Sequence, residues 1–170
     1  NLRGAGIATV ISSGNGGNCD GIGAPGCIST GIAVGATTDS DVEAIFSNFH
    51  STLLDLYAPG VDIKSSIGSS DSAYGDKSGT SMAAPHVAGA WAILKQVDPE
   101  ADVTTILSSL QTTGDPLVTG HCGSPPSQRR IQIDLALGTR RIKFRQPPDA
   151  SGEDTASNID WTDMLPKTVV

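Results

Sequence analysis

The chain has 170 residues, of which 38% are hydrophobic, 17% charged and only 4% aromatic, with 20 glycines and a formal net charge of -7. That composition fits one ordinary globular domain and not a disordered chain. The acidic balance argues against nucleic acid and against an anionic membrane as partners. No apolar run is long enough to cross a bilayer, the longest being Ala88 to Leu94, interrupted by Gly89.

Asn1-Leu2-Arg3 opens the chain with neither an initiator Met nor a signal peptide, as a processed or partial chain would. Ala5 to Ser12 is a short apolar run ending in Ser-Gly-Asn-Gly-Gly-Asn, which predicts a buried strand running into a tight loop. Cys19 and Cys27 flank a Gly/Pro-rich loop that a disulfide could close. The alternative is that these two and Cys122 are all unpaired thiols. Ile32 to Val34, followed by Gly35, is a second apolar run, and Leu53 to Tyr57 and Ile63 to Ile67 predict two more strands around the turn Ala58-Pro59-Gly60. Ser69 to Ser78 reads as a surface loop or hairpin.

Ser81 to Gln96 reads as a helix with apolar residues around most of its circumference, hence a buried one, with Pro85 in its first turn. Asp102 is a candidate N-cap for a second helix through Val103, Ile106, Leu107 and Leu110, stopping near Gly114. Ile131 to Leu137 predicts a short third helix with Gly138 as its stop. Arg140 to Arg145 alternates apolar and charged residues like an edge strand, and from Gln146 the chain is Pro-rich, then acidic, with Trp161 and Leu165 as lone apolar anchors. The expected organisation is therefore a core domain over 1–138 and an appendage or linker over 139–170. Short apolar strands alternating with small-residue loops and helices suggest an α/β fold with a mostly parallel sheet.

The chemistry concentrates in Ser78-Gly79-Thr80-Ser81-Met82-Ala83-Ala84-Pro85-His86-Val87-Ala88-Gly89. Backbone N–H groups at a helix start are unpaired, and the helix dipole adds positive charge there. An oxyanion forming beside Ser81 would be stabilised. Taken alone, Ser81 could as well be an ordinary helix N-cap.

The run from Gly79 to Gly89 closely resembles the nucleophile signature of the subtilases, the subtilisin-like serine peptidases. Ser13-Gly14-Asn15-Gly16 resembles that family's oxyanion-hole loop, and Pro25-Gly26-Cys27 through Ile32-Ala33-Val34-Gly35-Ala36, Phe46-Ser47-Asn48 and Tyr57-Ala58-Pro59-Gly60-Val61 continue the match in order. The resemblance covers roughly Ala5 to Leu137. It implies Ser81 as nucleophile and Asn15 as oxyanion donor, with Gly14, Gly16, Ala33, Val34, Gly35 and Thr80 at the substrate-binding site. In a subtilisin, losing such a donor costs on the order of 10²–10³ in turnover, a magnitude that belongs to that relative. The resemblance also implies a polypeptide substrate, no required cofactor and secretion to the extracellular space.

The family's remaining triad members are absent. No Asp-Thr/Ser-Gly or His-Gly-Thr-His motif occurs in the sequence. His86 lies five residues after Ser81, about 140° around a helix, and is expected to be structural; His50 and His121 are expected to be solvated. The expectation is an incomplete subtilisin-like sheet flanked by helices with its N-terminal part missing, inactive alone for want of a base to activate Ser81. Its partner would be the N-terminal half of the catalytic domain. Without it, an edge strand and one side of the Ser81 helix would be exposed, leaving the chain marginal alone or paired with another copy. Two other readings stand beside this one. A degenerate, non-catalytic peptide-binding module would not need to keep both Ser81 and Asn15. A nucleotide-binding loop at Gly14-Asn15-Gly16-Gly17 fails because Cys19 occupies the last glycine position of Gly-x-Gly-x-x-Gly. The family resemblance allows calcium as a structural ion, with Asp39 and Asp41 as candidates and a solvated acidic loop as the plainer reading.

Overall fold

The computed structural model describes residues 2–117, 119–122 and 128–138, together with the backbone of 143–145 and 156–158. A five-stranded sheet is built from β1 (Val10–Ser12), β2 (Ile32–Thr37), β3 (Leu56–Pro59), β6 (Asp115–Pro116) and β7 (Arg129–Arg130), in the order β1-β2-β3-β7-β6. The pairs β1–β2, β2–β3 and β3–β7 are parallel, and the short β6 closes the far edge antiparallel to β7. Register follows Val34 opposite Leu56 and Gly35 opposite Tyr57.

Every residue of β2 is buried, which accounts for its unbroken apolar sequence. Its alternate side chains serve two cores. Ile32, Val34 and Ala36 join Leu56 and Ala58 in the main core, whereas Ala33 packs with Leu54, Tyr57 and Leu117 on the opposite face. The main core is covered by α1 (Thr80–Val97), α2 (Val103–Thr113) and α3 (Ile133–Leu137). Helix α1 turns Ala83, Val87, Ala90, Trp91 and Leu94 inward, a stripe at the spacing a helix needs to bury one face.

The predicted parallel α/β sheet with flanking helices is present, and α2 matches expectation closely: the Asp102 carboxylate accepts from Thr105 N at 2.7 Å and Gly114 ends the helix. The Ser69–Ser78 segment contains β5 (Tyr74–Lys77), which forms a separate antiparallel hairpin with β4 (Ile63–Ser66). The strand expected over Ala5–Ser12 is confined to β1, and Ala5 itself ends a 3-10 turn over Arg3–Ala5. Within the expected strand Arg140–Arg145, Lys143–Arg145 (β8) pairs antiparallel with Ala156–Asn158 (β9). Arg140 to Ile142, Trp161, Leu165 and most of the 139–170 appendage lie outside the described residues.

Three expectations need correction. Helix α1 is not buried all round: Ser81, Pro85, His86, Ala88, Gly89 and Ala92 are exposed, because nothing among the described residues packs on that face. Pro85 is the sixth helical residue rather than part of the first turn. Cys19 is bonded to Cys122, 103 residues away, and Cys27 is an exposed free thiol. A sequence cannot show the approach of two loops that produces this pairing.

Candidate active site

Strand β1 delivers the chain to the loop from Ser13 to Asn18, beside the N-terminus of α1. Ser13 is buried, and its N–H donates to Val34 O at 2.9 Å. Gly14 follows with φ 107°, a backbone conformation that favours glycine. A Cβ there would also collide with the Asn48 side chain. The turn carries Asn15 over to the first helical residue. Asn15 Oδ1 accepts from Thr80 N at 2.9 Å and from the Thr80 hydroxyl at 2.8 Å, while Thr80 Oγ1 accepts from Gly14 N at 3.3 Å.

These bonds decide which end of the Asn15 amide is free. With Oδ1 occupied by Thr80, Nδ2 keeps its two N–H donors. It lies 3.3 Å from the point where a Gly79 Cβ would stand, so a larger residue at Gly79 would crowd it. Gly79, not Ser81, is the helix N-cap, and Ser81 is the second helical residue with its side chain exposed. The alternative that Ser81 merely caps the helix therefore falls. As a first-turn residue, Ser81 has a backbone N–H without an intrahelical acceptor. Asn15 Nδ2 and Ser81 N both lie beside Gly79, 3.3 and 3.7 Å from where its Cβ would stand, and Asn15 and Ser81 are both exposed.

The structure thus joins Gly14, Asn15, Gly16 and Thr80 in one hydrogen-bonded unit next to Ser81. Ala33, Val34 and Gly35 sit behind it as buried strand. The Val34 carbonyl holds the loop by accepting from Ser13 N.

Among the described residues, none of the three histidines is hydrogen-bonded to Ser81. His86 Nδ1 lies 2.8 Å from the Met82 carbonyl one turn back. His50 Nδ1 accepts from Thr52 N and Leu53 N, both at 3.2 Å. His121 corrects the expectation of a solvated residue. Its Nδ1 is 3.1 Å from Glu43 Oε2, an ion-pair distance, and its backbone N–H donates to the same oxygen at 3.2 Å. Glu43 is only 3% exposed and accepts from the buried Tyr57 hydroxyl at 2.5 Å. Burial, reinforced by that carboxylate, pushes the Tyr57 hydroxyl far above the usual phenol range. His121 Nε2 also faces Gly17 O at 3.4 Å, and the neighbouring Cys122 is tied to Cys19. The buried Tyr57–Glu43 pair, the half-buried His121 beside it and a disulfide therefore back the Asn15 loop, and sequence reading missed both.

The strongest support missed by the sequence is Asn48. It is 5% exposed, and its Oδ1 accepts from Gly16 N at 2.9 Å and Asn18 N at 3.1 Å, while its Nδ2 donates to Ser13 O at 3.2 Å. In the sequence it stands only within Phe46-Ser47-Asn48, one stretch of the family resemblance, with no role attached to Asn48 itself.

For a metal, Asp41 does not fit the calcium expectation. Its carboxylate pairs with the Arg130 guanidinium, which also reaches Asp115 Oδ2 at 2.7 Å, and the neighbouring Asp39 is exposed. A calcium site needs six or more oxygen ligands. Cys19, His121 and Cys122 have ligand atoms within 4.8 Å of one another, but both sulfurs are consumed by their mutual bond.

The arrangement is thus an open, mostly parallel α/β sheet with a Ser at the start of a core helix and an Asn side chain fixed beside it. The sequence profile of the Subtilase family matches residues 2–137, and the chain belongs to that family. It is 39% identical over 123 residues to an extracellular serine proteinase of Thermus sp. (strain Rt41A), covering 72% of this chain and 30% of that protein. Subtilisin BL of Lederbergia lenta is 39% identical over 112 residues, covering 66% of this chain and 40% of the relative. Among solved structures, a protease of Pseudoalteromonas arctica PAMC 21717 superposes with a TM-score of 0.71 at 30% identity, over 79% of this chain and 43% of the other. A cold adapted subtilisin-like serine proteinase gives 0.67 at 32% identity, over 78% and 48%. The chain thus spans less than half of these relatives.

Proposed function

We propose that this chain is the C-terminal portion of a serine endopeptidase catalytic domain, in which Ser81 attacks the scissile carbonyl to form an acyl-enzyme. The observation that carries the reading is the Asn15–Thr80 clamp. It anchors Oδ1 and leaves the Nδ2–H donors for the oxyanion beside Ser81. The Ser81 N–H supplies a second donor at the helix start. Gly14, Gly16 and Thr80, with the strand carrying Ala33, Val34 and Gly35, form the surrounding wall for a polypeptide substrate.

Deprotonating Ser81 needs a base, and no histidine of the chain is placed for it. The missing Asp and His belong to an N-terminal portion of the domain, which packs on β1 and on the exposed face of α1. The small residues Ala88, Gly89 and Ala92 on that face suit a close-packed partner, and among the described residues β1 is paired on one side only. Secretion is supported by the extracellular relative, and among the described residues no helix is long and apolar enough to cross a membrane.

Mixing the chain with a separately expressed N-terminal portion tests the assignment. Peptide hydrolysis should appear only in the mixture and vanish with Ser81→Ala. Ser81-dependent turnover by the chain alone would contradict the need for an external base.

A further inference from the structure

We infer that Asn48 is the positioning residue for the oxyanion loop. It never touches the substrate, but it sets where the Asn15 amide stands. The inference rests on the proposed role of Asn15 and goes beyond it, since nothing about the nucleophile motif requires a particular residue at 48.

The loop from Ser13 to Asn18 has no regular secondary structure, so its N–H and C=O groups must find partners elsewhere. Asn48 supplies them from both its side chain and its backbone. Its carboxamide oxygen does the work of a strand carbonyl for two N–H groups, Gly16 and Asn18. Its amide nitrogen caps the Ser13 carbonyl, and its backbone N–H donates to Gly14 O at 2.9 Å. Asn15 is thus flanked on both sides by residues tied to Asn48. The side chain holding them is buried, so water cannot replace it easily. The fit is close enough that glycine is needed at 14 to admit the Asn48 amide.

Only an amide satisfies this arrangement. Aspartate has the right shape and keeps the acceptor, but it sets a second acceptor against the Ser13 carbonyl. Alanine removes all three side-chain bonds. Either change frees the loop while leaving Ser81, Asn15 and Thr80 chemically intact. Misplacing a catalytic group by about 1 Å can cost on the order of 10²-fold in rate.

The experiment uses the complete peptidase containing this chain, with the variants Asn48→Ala, Asn48→Asp, Asn15→Ala and the doubles Asn15→Ala/Asn48→Ala and Asn15→Ala/Asn48→Asp. Asn48→Ala should lower kcat about 10- to 100-fold with KM within about twofold. In the Asn15→Ala background, the same change should lower kcat by no more than about twofold, since its effect passes through an amide already removed. Losses that multiply in the double variant, or unchanged kcat in Asn48→Ala, would overturn the inference. If Asn48→Ala does not fold, the isosteric Asn48→Asp single and double variants take its place, with the same non-additivity expected. Hydrogen exchange at Gly16 and Asn18 reads the clamp without turnover: it should quicken in either Asn48 variant, and unchanged exchange would count against the inference. Wild-type enzyme with no Ser81-dependent turnover but normal exchange behaviour would refute the catalytic reading and leave the clamp standing.

Discussion

The Asn15 side-chain oxygen accepts two hydrogen bonds from one residue, the backbone N–H and the hydroxyl of Thr80. Thr80 is fully buried and is the first residue of α1, so the amide is locked to the start of the helix that covers the main core. Locking the oxygen orients the nitrogen, and the proposed function uses that amide as a preorganised donor.

That orientation predicts the behaviour of Asn15→Ala in the complete peptidase. The bond to the oxyanion forms only as the carbonyl becomes tetrahedral, so kcat should fall with little change in KM. The expected loss is on the order of 10²–10³, the magnitude established for such a donor in a subtilisin. Steady-state kinetics on a peptide ester or amide check it; a change confined to KM would place Asn15 in ground-state binding instead.

The Cys19–Cys122 bond should matter more for stability than its surface position suggests. It links segments 103 residues apart, so breaking it releases a long loop in the unfolded chain. Cys122→Ser, or reduction, should lower the unfolding free energy by about 2–4 kcal/mol. Cys27→Ser should leave it unchanged, because that thiol is exposed and unpaired. Denaturant titrations with and without a phosphine reductant distinguish the two.

Asp102 gives a pH signature. The backbone N–H of Thr105, then its side chain, hold the Asp102 carboxyl below its ordinary value of 3.8. The folded state therefore keeps the carboxylate at a pH where the unfolded chain has protonated it. The cap contributes fully above about pH 3.8 and is lost as pH falls through the lower folded value. Asp102→Asn retains the cap and should flatten this part of the acid-stability profile. Asp102→Ala should lower stability at neutral pH as well. Unfolding midpoints measured from pH 2 to 7 are the check.

How much of this was readable in advance followed the range of the forces involved. Helix α2 was legible because Asp102 and Gly114 act within one turn of the ends they define. The helix that begins beside Ser81 and the loop at Asn15 were legible as structure because each is carried by contiguous residues. The partner of Cys19 was not, since Cys27 is the near neighbour in sequence and Cys122 the near neighbour in space. His121 looked like a polar-loop residue, and only the fold brings it to Glu43, 78 residues away. The apolar circumference of α1 was read as complete burial. Composition records that a face is suited to packing, not that a packed neighbour lies within the same stretch of chain.

The claim on which the rest depends is that Ser81 is the nucleophile. The direct measurement is to treat the complete peptidase with a fluorophosphonate and locate the adduct by peptide mass spectrometry. The account predicts one adduct, on Ser81, with labelling and peptide hydrolysis both abolished in Ser81→Ala. An adduct on another residue, or undiminished hydrolysis by Ser81→Ala, would contradict it.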